Sequence, residues 1–258
     1  MILKPGFSFC TELSDRLMNE TLILRCLPLK PGFNLFDMLF PELKEKRFGY
    51  VNMNEAAKAW FAKYPEPIVS ENPLLDPATC QAMMNEVHAE LGIDVSYGGW
   101  LEDRSTLWRG SYLDEAKIYL HLGVDVNAPA GTAVAVDRHA EVIRVDDDTP
   151  LVGGWGNRVI LRLRDEPIVL IYAHLAKGVV CKVGDQLAAG DVFAKLGASS
   201  ENGYWMPHVH VQAVEQKYFD DLLQTGQLDV LDGYGSQEER KLLAHRFPDP
   251  MHFIQLDS

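Results

Sequence analysis

Apolar positions along the chain fall into two textures. From about residue 97 to 214 they come as short β-branched runs between glycines: Ala133 to Val136, Ala140 to Val145, Val159 to Leu163, Ile168 to Tyr172, Val192 to Leu196 and Val209 to Val214. Runs of that length predict the strands of a compact, mainly antiparallel β domain. Val183-Gly184-Asp185 and Ala189-Gly190-Asp191 read as hairpin or barrel corners. Ahead of this region the spacing turns helical. Asn54 is placed to cap a helix through Ala56, Ala57, Ala59 and Trp60 that stops before Pro65. Asp76, with Pro77 at the first helical position, opens a second helix with the face Ala78, Met83, Val87 and Leu91, and Gly92 ends it. Met83 and Met84 are then core filler. After residue 215, Ser236 to Glu239 fits a capping box for a helix through Leu242 and Leu243, closed by Pro248. The pattern predicts an α+β chain: a mixed, helical region over 1–95 with no assigned role, a β domain over 96–214 and a helical extension over 215–258.

Composition narrows the function classes. The chain has 258 residues, with 24 Lys+Arg against 37 Asp+Glu and a net charge of −13. That length can bury a substantial core, and 47% hydrophobic residues argue against wholesale disorder. Such an acidic surface repels phosphate backbones, so no nucleic-acid partner is expected. The densest basic cluster, Lys44, Lys46 and Arg47, is broken by Glu45. No apolar run approaches the ~20 residues of a membrane-spanning helix, so no membrane insertion is expected. Met1 to Lys30 offers only short apolar pieces cut by Glu12, Asp15, Arg16, Glu20 and Arg25, which points away from a secretory leader and towards the cytoplasm. Cys10, Cys26, Cys80 and Cys181 lie far apart with no C-x-x-C pair and read as free thiols. Gly153-Gly154-Trp155-Gly156 has neither dinucleotide-loop spacing nor a P-loop lysine, which excludes nucleotide binding. Asp146-Asp147-Asp148 reads as a solvated turn without the EF-hand pattern.

The chemistry gathers in three segments: His121-Leu-Gly-Val-Asp125, Tyr172-Ala-His174-Leu175 and His208-Val-His210. Two residues apart on a strand, His208 and His210 share a face about 6.7 Å apart, so one can bind a metal while its neighbour faces the same cavity. A flat strand would hold His121 and Asp125 about 13 Å apart, and Gly123 between them permits the bend that draws them together. Two imidazoles and a carboxylate suit Zn²⁺ with a fourth position for water, whose pKa such a site lowers towards ~7. The other two histidines then handle protons or stabilise an oxyanion. H-E-x-x-H is absent, which excludes a glutamate base of that kind. Tyr204 is a candidate substrate contact against a buried packing role, and Asn157 against a turn role. His88, His139, His245 and His252 lack partner spacing and read as structural or surface residues.

HLGVDVNAPAGTAVAV, GGWGNRVILRL, YAHL, KVGDQLAAGDVFAKLG and PHVHVQ, together spanning a little over a third of the chain, resemble the M23 peptidases, the lysostaphin-like zinc endopeptidases. The resemblance implies a β sandwich or barrel of the duplicated-hybrid-motif kind. It also implies Zn²⁺ held by His121, Asp125 and His210, with His174 and His208 as catalytic histidines. Its activity would be cleavage of a peptide or small amide bond, peptidoglycan peptides included. SYGGWLEDRS at 96–105 and ENGYWMPHVHVQ at 201–212 look closest to M23 modules attached to class III aminotransferase-like proteins. Typical members are exported, unlike the expectation from Met1 to Lys30. Two other readings of the same residues are a non-catalytic zinc-binding or regulatory module and a phosphocarrier using His174 or His208, for which His121 and Asp125 would be superfluous.

Overall fold

Each predicted apolar run becomes a strand in the computed structural model, which describes residues 38–65, 71–147 and 153–254. Cys10, Cys26, Asp148 and the segment Met1 to Lys30 lie outside the described residues. In chain order the strands are β1 (Phe48–Tyr50), β2 (Val95–Gly98), β3 (Leu120–His121), β4 (Val124–Asn127), β5 (Ala133–Ala135) and β6 (Ala140–Asp147). They continue with β7 (Asn157–Leu163), β8 (Ile168–Leu175), β9 (Gln186–Leu187), β10 (Val192–Lys195), β11 (Val209–Glu215) and β12 (Tyr234–Gly235). One eight-stranded sheet runs β1-β2-β4-β11-β8-β7-β6-β9, and two pairs, β10-β5 and β12-β3, accompany it. All pairings are antiparallel except β1 with β2. The helices are α1 (Met53–Lys63), α2 (Pro77–Leu91), α3 (Tyr112–Ala116), α4 (Gln216–Gln224) and α5 (Arg240–Arg246). The fold is α+β with a mainly antiparallel sheet, as the periodicity indicated.

Strand β8 explains why its sequence is a continuous apolar run. Ile168, Leu170 and Tyr172 enter one core cluster with Leu161, Phe193 and Val211, while Val169 and Ile171 enter a second with Ile160, Val214 and Phe219. A strand buried on both faces needs apolar residues at every position rather than at alternate ones. Gly184 and Gly190 take φ of 93° and 92°, and the carboxylates of Asp185 and Asp191 accept from the backbone N–H three residues upstream, so both corners form as expected.

Several local expectations need correction. The cap of α1 is Asn52, which accepts from Glu55 N at 2.9 Å. Asn54 is buried inside the helix, where its side chain accepts instead from Thr106 N and Leu107 N at 2.8 and 3.1 Å. Asp76 and Gly92 do bound α2, but its buried stripe is Cys80, Met83 and Met84; Ala78 and Leu91 are exposed. Ser236 caps a 3₁₀ turn, Gln237–Glu239, by accepting from Glu238 N, and α5 starts only afterwards. Asp146 is no turn residue: it lies in β6 and accepts from Arg144 Nε and Arg158 Nε at 2.7 and 2.8 Å.

The helices α1 and α2 share a core with later parts of the chain. Val51, Met53, Leu74, Met83 and Met84 pack with Leu107, Trp108, Leu113 and Met206. Asn72 Nδ2 reinforces this seam by donating to the carbonyls of Leu107 and Arg109. Cys80 and Cys181 are free and buried. Among the described residues, no helix is long and apolar enough to cross a membrane.

Candidate metal centre

Three strands bring the predicted residues together. His121 closes β3, the chain bends through Leu122-Gly123, and Asp125 lies in β4 directly opposite His210 of β11. Gly123 serves close approach as well as the bend. A Cβ there would stand 2.5 Å from His210 Cε1 and 2.7 Å from Val211 O. His208, the residue just before β11, and His210 within it line the same pocket, as two-residue spacing on extended backbone allows.

His174 reaches this group by a different device. Alternation along β8 would send it into the core beside Tyr172. However, Val159 pairs with Tyr172 while Asn157 pairs with Leu175, so β8 carries one extra residue, a β-bulge. His174 has φ of 62°, and Leu175 takes the next core position in its place. Its ring swings to the side of His210 and lies 4.5 Å from the His208 ring and 6.1 Å from that of His210.

The interatomic distances define a small triangle. His121 Nε2 is 3.0 Å from His210 Nδ1 and 3.3 Å from Asp125 Oδ1, and His210 Nδ1 is 3.0 Å from the same oxygen. Ligand atoms about 2.1 Å from a tetrahedral zinc stand about 3.4 Å apart, so this triangle fits one face of that coordination. His208 Nε2 lies just outside, 3.7 Å from Asp125 Oδ1.

Hydrogen bonds assign the tautomers. His121 Nδ1 faces Gly99 O at 3.0 Å, His174 Nδ1 faces Asn202 O at 2.9 Å, and His208 Nδ1 faces Met206 O at 2.7 Å. A carbonyl oxygen only accepts, so each Nδ1 carries the hydrogen and each Nε2 presents a lone pair. His210 is reversed: Nε2 donates to Gln212 Oε1 at 2.9 Å, whose amide donates in turn to Asp232 O, leaving Nδ1 bare. Thus His121 Nε2, His210 Nδ1 and Asp125 Oδ1 are three acceptors meeting with no donor among them. A cation resolves that arrangement, and the carbonyl and amide partners behind the rings are the usual orienting contacts of metal-ligating histidines.

Electrostatics favour the same state. Burial, then the Arg104 guanidinium, push His121 down to about 3. Burial, then His208 and His210, hold His174 well below the usual histidine range, and burial lowers His208. These imidazoles are neutral ligands or bases near pH 7. Burial alone would raise Asp125, yet His121, Arg104 and His208 hold its carboxyl well below the usual range. Arg104 is itself buried: Nη1 donates to Asp125 Oδ2 at 2.6 Å and to the Tyr234 hydroxyl, and Nε donates to Glu102. The pair pins the second carboxylate oxygen and turns the first towards the imidazoles.

Gln212 could have been anticipated, since it extends the H-x-H alternation by one more step on the same face. Arg104 and Glu102 carried no such signal, because their link to Asp125 joins the irregular segment after β2 to β4 through space. Tyr204 is 46% exposed, with φ of 65°, on the rim of a smaller neighbouring cavity rather than packed in the core. Asn157 is buried at the start of β7, where its amide donates to Leu175 O at 3.4 Å beside the bulge. Neither lines the pocket over the triangle, a cavity of about 90 Å³ walled by Tyr112, Trp155 and Trp205.

Among solved structures, the chain is similar to a mutant catalytic domain of the prophage-encoded M23 protein EnpA from Enterococcus faecalis, with 26% identity over 37% of this chain and 68% of that one and a TM-score of 0.32. It is also similar to the catalytic domain of the antimicrobial peptidase lysostaphin from Staphylococcus simulans, at 24% identity over 53% and 80% of the two chains, TM-score 0.36. A zinc-containing peptidase from Vibrio cholerae is 23% identical over 38% of this chain, which spans only 28% of that protein, TM-score 0.32. No curated protein matches the chain. Residues 119–221, which contain His121, Asp125, His174, His208 and His210, match Peptidase family M23.

Proposed function

We propose that this chain is a zinc-dependent hydrolase that cleaves a peptide or amide bond, with peptidoglycan-type peptides as the substrate class suggested by the family match. The observation that carries the proposal is the meeting of three hydrogen-free acceptor atoms from His121, Asp125 and His210. When bound there, zinc supplies a Lewis acid that acidifies a water and polarises a carbonyl oxygen.

The remaining chemistry belongs to His174 and His208. Each is fixed through Nδ1–H to a backbone carbonyl and turns Nε2 towards the pocket. Neutral His174 presents an Nε2 lone pair to the pocket, which takes a proton and returns it to the leaving amine. His208 is neutral with a bare Nε2, so it donates to the carbonyl oxygen only after that nitrogen has taken up a proton, which Asp125 Oδ1 at 3.7 Å favours. Arg104 keeps Asp125 oriented, and the Asn157 amide supports the bulge without touching substrate.

Metal analysis with two variants tests this reading. His210→Ala is expected to lose zinc. His174→Ala is expected to keep one zinc per chain while peptide turnover falls by at least about 100-fold. A fully active His174→Ala protein would overturn the division of labour, and full zinc occupancy without hydrolysis of any peptide would leave a non-catalytic module.

A further inference from the structure

We infer that the pocket beside the proposed zinc site is built to receive a substrate ammonium group, with Asp232 as its counter-charge and aromatic rings as its walls. This rests on the hydrolase reading above and specifies the substrate class.

The charges in the pocket are unevenly used. Asp125 is committed to Arg104 and the imidazoles, but Asp232 lines the same cavity with no such partner. Its Oδ1 accepts from Tyr234 N at 3.1 Å, and among the described residues no Lys or Arg forms an ion pair with it. Among the described residues, no lysine or arginine lines the cavity. Arg158, which stacks on Trp155 at 5.4 Å, is held by Asp146 instead. Asp232 is exposed at the mouth of the cavity, where partial desolvation by the surrounding walls raises its carboxyl above the usual range.

Asp232 is also held firmly in place. Its carbonyl accepts from Gln212, the residue that orients His210, and Gly233 O accepts from Leu122 N at 2.9 Å. Its side chain is therefore tethered within one residue of the structure supporting a metal ligand. Trp155 sits 5.5 Å from the His210 ring and Trp205 6.0 Å from the His174 ring, so the aromatic walls begin where the reacting bond would lie. Ring faces attract cations, and a carboxylate among them selects an ammonium over a neutral or anionic group. The net charge of −13 steers cationic ligands in the same direction. The ammonium can be the free amino terminus of a peptide or the side chain of a lysine-like residue.

Two measurements on the full, zinc-loaded chain test this. The first compares hydrolysis of tetra-alanine amide, its N-acetylated form, and an acetylated peptide carrying one lysine or one norleucine. The ammonium-bearing substrates are expected to be favoured by at least about tenfold in kcat/KM, and the better of the free-amine and lysine substrates identifies the source. Asp232→Asn, which keeps an acceptor for Tyr234 N, should bring the preference within about twofold at unchanged zinc content, and Asp232→Glu should restore part of it. The second is calorimetric binding of alaninamide against N-acetylalaninamide. Binding of the amine alone, lost in Asp232→Asn, supports the inference even if no peptide is cleaved, in which case the hydrolase reading fails by itself. Hydrolysis without charge preference, a preference retained in Asp232→Asn, or no amine binding would overturn it.

Discussion

At the scale of single residues, the site depends on two backbone details. His174 occupies the left-handed region at φ 62° in a strand interior, a conformation that costs a non-glycine residue on the order of 1 kcal/mol. The bulge that imposes it changes the parity of β8, taking an imidazole out of the core and handing its place to Leu175. Simple alternation along Tyr172-Ala-His174-Leu175 would bury that ring, so spacing alone left its position open. Gly123 was legible as a bend, but its closer duty is to admit the His210 ring. Gly123→Ala should cost about 1–3 kcal/mol of stability, since Val211 O is backbone and cannot yield easily. It should also weaken zinc binding at least about tenfold, as measured by chelator competition. Unchanged affinity would show that the ring tolerates displacement.

At the scale of elements, the strands were legible because both faces of the central ones are buried. A run such as Ile168 to Tyr172 admits few other fates between turn-forming residues. The short strands β1, β2 and β12 carried no comparable signal. Their pairing depends on partners distant in sequence, such as Phe48 with Val95 and Tyr234 with His121. Capping was legible where one side chain serves one helix. Asp76 accepts from both Thr79 N and Thr79 Oγ1, so Asp76→Ala should lower stability by about 1 kcal/mol in urea denaturation without altering zinc content. Asn54 misled because its amide ties down residues 106 and 107, a tertiary demand that outweighs capping. Helix α2 is similar: its ends were readable, but its buried face is set by what packs on Cys80 and Met84 rather than by its own periodicity.

At the scale of the whole molecule, the buried imidazoles make the metal-free chain acid-labile. His121, His174 and His208 have folded pKa values below the usual histidine value, so the unfolded chain takes up protons first as pH falls. Their contribution is complete above about pH 6.5 and declines below it, down to about 3 for His121, at up to about 1.4 kcal/mol per pH unit for each group. Asp125, held low, loses its contribution in the same direction below about pH 4. Urea midpoints of the metal-free chain should therefore drop between pH 7 and pH 5 with an unchanged m value; a flat profile would show that these rings are solvated.

The sequence by itself determined the residue types and the shared face of His208 and His210: two histidines and an aspartate with metal-ligand chemistry, two further histidines, and apolar runs that fold as buried strands. Tertiary structure alone decided which nitrogen of each ring carries the hydrogen, which face His174 occupies, that Arg104 neutralises Asp125, and that Asp232 opens onto the same pocket with no Lys or Arg ion pair among the described residues. Spacing along a strand fixes where a side chain projects from that strand. The proton position, charge pairing and access are set by partners such as Gly99, Asn202, Gln212 and Arg104, which other strands and loops supply through space.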